Sequence, residues 1–131
     1  MEVSTSAGPV ASKALLALRL VATAHAVAIF GQPVFAGVFL SGDYDMLRLH
    51  ATGADVVFYL ALVQLVAAMV LWWRRGVRWP SAVALLIVLG ETGQYSAGLS
   101  GDLELHIPLG VALVALTIVS LFVLWRPEVA R

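Results

Sequence analysis

The chain lacks cysteine altogether and carries few charges. Of its 131 residues, 61% are hydrophobic and 12% are charged, and the formal net charge is zero. The missing cysteines exclude disulfides, thiolate metal sites, thiol nucleophiles and covalent c-type haem attachment. Zero net charge leaves no electrostatic footprint for nucleic acid. A soluble domain of this size would need more polar surface, so the composition predicts an integral membrane protein solvated by lipid.

Four long apolar stretches dominate the sequence, and each has about the 20 residues needed to span a bilayer core of about 30 Å. They cover residues 14–40, 50–73, 81–99 and 106–125. The first is too long for a signal-peptide core, so we interpret it as a retained helix. Because the linkers are short, consecutive helices are expected to lie antiparallel and adjacent. The sequence predicts an all-α fold, in which residues 1–131 form one domain of four transmembrane helices in an up-down-up-down bundle.

The basic residues predict how the bundle is oriented in the membrane. Seven of the eight lie at one end of the predicted helices: Lys13, Arg19, Arg74, Arg75, Arg78, Arg126 and Arg131. All four tryptophans lie near the same end, as in an interfacial aromatic belt. The positive-inside rule makes this end cytoplasmic. We therefore expect a multi-pass protein of the cell membrane, in the simplest case a bacterial inner membrane, with both termini in the cytoplasm.

The two halves of the chain share a series of landmarks in the same order. The first half contains Gly31-Gln32, Leu-Ser-Gly-Asp at 40–43, Leu49-His50 and Gly53, and the second contains Gly93-Gln94, Leu-Ser-Gly-Asp at 99–102, Leu105-His106 and Gly110. This order predicts two repeated helical hairpins related by an axis along the membrane normal. Under that symmetry the second and fourth helices correspond, and their histidines lie at equal depth.

The paired histidines are the first candidates for chemistry. His50 and His106 are each predicted to open a helix, with small residues such as Gly110 on the face below. Two opposed imidazoles with space between them suit six-coordinate haem iron, here a non-covalent haem b. Arg48, the single base at the opposite end from the others, is placed to pair with haem propionates. The alternatives are that both histidines are polar interfacial caps and that Arg48 balances Asp43 or Asp45.

A second set of polar residues lies at mid-membrane depth. His25 shares a helix face with Gln32, and its role stays open between an interior hydrogen-bonding residue, a proton relay and a ligand for a deeper group. Glu91 would cost about 2.5–3.5 kcal/mol as an unpaired carboxylate at this depth. Glu91 is therefore expected to be protonated or paired, with His25 as one candidate partner.

Several of these features together resemble one half of the heme A synthase family. They are a histidine opening the second helix, the Gln-x-x-x-Gly segment from Gln94 to Gly98, a short loop, and a histidine opening the fourth helix within LHIPLGVAL, at residues 105–113. The resemblance covers about residues 14–125 and implies a four-helix bundle that holds haem between His50 and His106. That family's catalytic half has a glutamate and an arginine closely flanking the first histidine. Here Leu47, Arg48, Leu49 and Ala51 stand around His50, so the resemblance implies haem binding and not the oxidising activity.

The sequence therefore predicts a small membrane b-type cytochrome for electron transfer, haem handling or sensing. We include Arg48, Gln94 and Gly110 among the residues expected to contact the haem. The expected partners are the lipid bilayer, haem, and a membrane redox partner or a second copy of the chain. Two alternatives stay open: a small proton-coupled transporter that uses Glu91, and an accessory subunit of a respiratory complex. No complete catalytic motif is present, so an enzymatic activity is left open.

Overall fold

The computed structural model describes the backbone of residues 9–130, and side chains from Lys13 to Pro127 together with Val129. The described chain forms four helices and no strand: α1 Pro9–Leu40, α2 Met46–Arg75, α3 Trp79–Ser100 and α4 Leu103–Leu124. A short 3₁₀ turn, Pro127–Ala130, follows. Residues 1–8 and Arg131, which belong to the predicted domain, lie outside the described residues.

The four helices close into an antiparallel bundle. Each helix packs on its neighbours in the chain, and α1 also packs on α4, so that α2 and α4 stand on opposite sides of the bundle axis. All four are long and apolar enough to cross a membrane. The predicted all-α, four-helix membrane fold is therefore confirmed.

Three of the helices begin about one turn before the predicted residue. α2 begins at Met46 and α4 at Leu103, so His50 and His106 lie inside their helices and do not open them. At α4 the reason is a cap, because the Asp102 carboxylate accepts a hydrogen bond of 3.1 Å from the backbone N–H of Leu105. The apolar stretch marks the hydrocarbon-spanning part of a helix, whereas the hydrogen-bonded backbone continues beyond it.

The two ends of the bundle differ in their packing. We call the end with linkers 41–45 and 101–102 the histidine end, and the end with linker 76–78 the arginine end. A close-packed cluster from all four helices fills the half nearer the arginine end: Leu15, Leu18, Ala22, Ala68, Leu71, Ala84 and Leu124. A much smaller cluster of Ile29, Val57 and Leu113 lies nearer the histidine end. The arginine half is a packed base, and the histidine half has room for a cavity.

Arg19 ties α1 to the end of α4 at the arginine end. Its Nε donates to the carbonyl of Leu124 at 2.9 Å, and its Nη2 donates to the carbonyl of Arg126 at 3.2 Å. The guanidinium also lies 5.1 Å from the centre of the Trp125 ring. The first of these bonds satisfies a carbonyl that the end of α4 leaves without an intrahelical partner.

Candidate functional site

The two hairpins hold their histidines by the same hydrogen bond. His50 Nδ1 lies 3.1 Å from the backbone carbonyl oxygen of Gln32, and His106 Nδ1 lies 3.0 Å from that of Gln94. A carbonyl oxygen only accepts, so Nδ1 of each ring donates, and Nε2 carries the lone pair of the neutral imidazole. Metal-bound histidines typically have this arrangement, in which a carbonyl fixes the tautomer and the ring orientation.

A glycine on the facing helix makes room for each glutamine side chain. A Cβ at Gly110 would lie 2.8 Å from Gln94 Nε2, and a Cβ at Gly53 would overlap Gln32 Nε2. Three landmarks of each repeat therefore belong to one set of contacts, in which the glutamine touches both the histidine and the glycine. In both hairpins the backbone carbonyl of a glutamine accepts the hydrogen bond from the histidine, and the side chain of that glutamine packs against the glycine.

The second hairpin holds its histidine more closely than the first. The His106 ring packs on the backbone of α3, where a Cβ at Gly98 would lie 2.9 Å from His106 Cε1. Gln94 Nε2 also lies 3.4 Å from His106 Nε2. The Gln-x-x-x-Gly segment thus contacts His106 at both of its ends.

The two imidazoles face each other across the bundle. Their ring centres are 6.0 Å apart, and their planes are inclined by 74°. Two imidazoles on opposite sides of one metal ion would have ring centres roughly 6 Å apart, given metal–nitrogen bonds of about 2 Å. The spacing between His50 and His106 is therefore suited to a shared metal.

A cavity of about 430 Å³ lies between the helices next to these rings. All four helices contribute to its wall, which is mostly apolar and includes Gly110. Its polar lining residues are Gln32, His50, Glu91, Gln94, Tyr95 and His106. A volume of this size is typical of sites for small molecules and cofactors, which are lined mainly by apolar groups with a few convergent polar ones.

Arg48 does not line this cavity. Its side chain is exposed at the histidine end, and among the described residues it forms no ion pair with Asp43 or Asp45. Its expected contact with haem propionates stays a prediction.

Asp55, another carboxylate at membrane depth, is exposed on α2. It accepts a hydrogen bond of 2.8 Å from the hydroxyl of Tyr95 on α3. Tyr95 also lines the cavity, so this bond fixes part of the cavity wall to the neighbouring helix.

A buried polar triad lies beneath the cavity. His25 is fully buried (0% exposed) and Glu91 is 5% exposed. His25 Nε2 lies 2.8 Å from Glu91 Oε1, so the pairing that the sequence offered for these two residues is present. His25 Nδ1 lies 2.9 Å from Gln64 Oε1.

Gln64 is the member of the triad that the sequence analysis did not identify as a partner of His25. It shares the inward face of α2 with the buried Val57 and Ala61. A polar residue at mid-membrane depth on such a face needs a hydrogen-bonding partner inside the bundle. The depth and helix face of Gln64 therefore indicate that it lies inside the bundle, but they do not indicate that His25 is its partner.

Within the described chain, no group of three or more histidine, cysteine, aspartate or glutamate residues could hold a metal ion. His50 and His106 alone would leave a bare ion short of ligands. A metal already held in a macrocycle needs no more than this pair, because the macrocycle supplies the remaining donors.

Comparisons with known proteins give no match, whether with a family model, a curated protein or a solved structure.

Proposed function

We propose that the cavity at the histidine end binds one b-type haem, with His50 and His106 as its axial ligands. The observation that carries this proposal is the pair of imidazoles 6.0 Å apart, each fixed through Nδ1 by the same type of backbone carbonyl. A purely structural bundle needs no such match between two histidines from opposite helices.

The residues around the pair fit the chemistry of a haem. Two neutral nitrogen donors and no third protein ligand suit an iron that already has four porphyrin nitrogens. The apolar cavity wall suits the macrocycle, and the absence of cysteine from the chain requires the attachment to be non-covalent. The resemblance of the sequence to half of heme A synthase supports the same ligand pair.

Each side chain has a definite task in this proposal. Gln32 and Gln94 keep the rings oriented through their carbonyls, while Gly53 and Gly110 leave room for the two glutamine side chains. The Gln94 amide lies 3.4 Å from His106 Nε2, so ligation requires this amide to turn away from the ring. The haem, when bound, would supply one-electron redox chemistry in a mostly apolar site.

The distribution of bases supports an orientation with the arginine end in the cytoplasm. In this orientation the haem lies near the extracytoplasmic surface of the cell membrane. A position of this kind suits electron transfer to or from a partner at that surface, haem handling, or sensing.

The proposal is tested by the absorption spectrum of the protein purified in detergent and supplemented with haem. We expect a Soret band and the sharp reduced bands of a bis-histidine haem. His50→Ala and His106→Ala should each remove six-coordinate binding, because a single imidazole cannot complete the axial pair.

Glu104→Gln is the matched control, since it alters an exposed carboxylate at the histidine end that does not line the cavity. Its spectrum should equal that of the unaltered chain. A folded protein with no Soret band would refute the proposal, and so would histidine variants that retain the same spectrum.

A further inference from the structure

The buried triad leads from the cavity toward the arginine half of the bundle. Glu91 lines the cavity, His25 follows it, and Gln64 reaches a second, very small crevice that Ser120 also lines. The three residues come from α3, α1 and α2, so the path crosses the centre of the bundle.

The hydrogen-bond geometry fixes how many protons the triad holds. Gln64 Oε1 only accepts, so His25 Nδ1 must donate to it. A single further proton then bridges His25 Nε2 and Glu91 Oε1 over 2.8 Å. Whether that proton is closer to nitrogen or to oxygen, the pair as a whole is neutral. Neutrality is the form in which a histidine and a carboxylate can be buried together at low cost.

The second carboxylate oxygen gives the pair room for one more proton. Glu91 Oε2 is buried and has no hydrogen-bond partner among the described residues, although its side chain borders the cavity. A buried oxygen without a donor is unfavourable. Protonation at Oε2 would give the pair a net charge of +1 without breaking either bond to His25.

We propose that the His25–Glu91 pair takes up one proton when the haem bound in the cavity gains one electron. This inference rests on the haem proposed above. The electron comes from a one-electron donor in the membrane, and the proton comes from water at the histidine end. One O–H bond of a hydronium ion in that water breaks as the O–H bond at Glu91 Oε2 forms, and the summed charge of haem and pair stays unchanged.

The low polarity of the surroundings makes such compensation favourable. Charges interact strongly where few dipoles screen them, and the wall between the pair and the histidines is mostly apolar. The other titratable groups at this cavity are His50 from α2, His106 from α4 and Tyr95 from α3. Both histidines are fixed as ligands in the loaded protein, and the Tyr95 hydroxyl donates to Asp55. Glu91 is thus the carboxyl of the cavity wall that can accept the proton.

A redox titration of the haem at several pH values tests the coupling. For one proton per electron, each tenfold fall in proton concentration should lower the midpoint potential by about 59 mV. Glu91→Gln preserves the size and one acceptor oxygen and removes the titrating group, so the slope should become flat. Glu104→Gln, at an exposed residue outside the cavity wall, is the matched carboxylate-to-amide control and should keep the slope.

A second measurement uses protein without haem, the His50→Ala/His106→Ala double variant. Infrared difference spectra between two pH values should show a carboxyl C=O band that disappears when Glu91→Gln is added and persists with Glu104→Gln. A merely structural triad would give neither this band nor a pH-dependent potential.

The possible failures are distinguishable. A Soret band with a flat potential in the unaltered chain overturns the coupling and leaves haem binding intact. A slope that survives in Glu91→Gln overturns the assignment to this pair. The absence of any Soret band refutes the haem and the coupling with it, whereas the infrared band would still establish the pair as a proton-binding site.

Discussion

At the scale of single residues, the contacts of two glycines explain how each hairpin accommodates a glutamine side chain between its two helices. Gly53 and Gly110 stand where any Cβ would run into the Gln32 or Gln94 amide. Each glutamine in turn fixes a histidine through its carbonyl. A change at the glycine should therefore be felt at the histidine on the same helix, although the two do not bond to each other.

We predict that Gly98→Ala destabilises the protein and weakens haem binding. A Cβ there would lie 2.9 Å from Cε1 of the His106 ring, which the Gln94 carbonyl holds in place. Alanine in place of glycine favours a helix by up to about 1 kcal/mol, but overpacking against this fixed ring costs roughly 1–3 kcal/mol, so the steric cost is the larger of the two. The measurement is the midpoint of thermal unfolding in detergent, together with a haem titration. Gly37→Ala serves as control, because a Cβ there would have nothing within 4 Å. Equal effects at the two positions would contradict the argument.

The sequence predicted some of these residues and missed others for physical reasons. The histidine pair was found because it recurs in both halves, and Glu91 was paired with His25 because both lie at similar depth. Gln64 was not assigned to His25, since hydropathy gives the depth of a residue but not its neighbour across the bundle. Asp55 accepts its hydrogen bond from Tyr95 on α3, a contact that depends on helix rotation and that hydropathy does not reveal.

At the scale of elements, the number of helices and their order followed from four apolar stretches, whereas their ends did not. Residues 46–49 include Arg48 and are not part of an apolar stretch, yet they belong to α2. Backbone hydrogen bonding does not stop at the hydrocarbon boundary, so hydropathy underestimates the length of a transmembrane helix. The turns are better marked, because each linker has one glycine with positive φ: Gly42 at 106°, Gly76 at 71° and Gly101 at 74°.

We predict that Arg19→Ala loosens the end of α4. The substitution removes two hydrogen bonds to carbonyls at the α4 terminus and should cost roughly 1–2 kcal/mol of stability, because bonds from a charged donor are among the stronger ones. Hydrogen exchange measured by mass spectrometry should speed up in residues 121–126. Lys13→Ala, an exposed change on the same helix, should leave exchange there unaltered. Unchanged exchange in Arg19→Ala would contradict the conclusion that the Arg19 hydrogen bonds hold the end of α4 in place.

At the scale of the whole molecule, packing and charge are distributed unequally along the bundle. The arginine half is filled by a cluster from all four helices, and the histidine half contains the cavity. A ligand bound in this cavity would leave the cluster of the arginine half undisturbed. Most basic residues lie at the densely packed end, and the cavity lies at the other end. The orientation of the bundle in the membrane therefore decides which side of the membrane the cavity is near.

We predict that both termini and linker 76–78 are cytoplasmic. Because the chain contains no cysteine, a single introduced cysteine is the only thiol available for labelling. Ser41→Cys should react with a membrane-impermeant maleimide in intact cells, whereas Val77→Cys should react only after the membrane is opened. The reverse pattern would invert the orientation and place the histidine end inside.

Each hairpin carries a complete half of the site: a histidine, the carbonyl that orients it, and the glycine that admits the glutamine. Nothing in that half is borrowed from the other hairpin. Two copies of one ancestral hairpin, associating around a shared ligand, would already have formed the whole arrangement. Under the duplication that the repeat predicts, fusion of two such hairpins would let the halves diverge, and the buried His25 is a residue of the first half without a counterpart in the second.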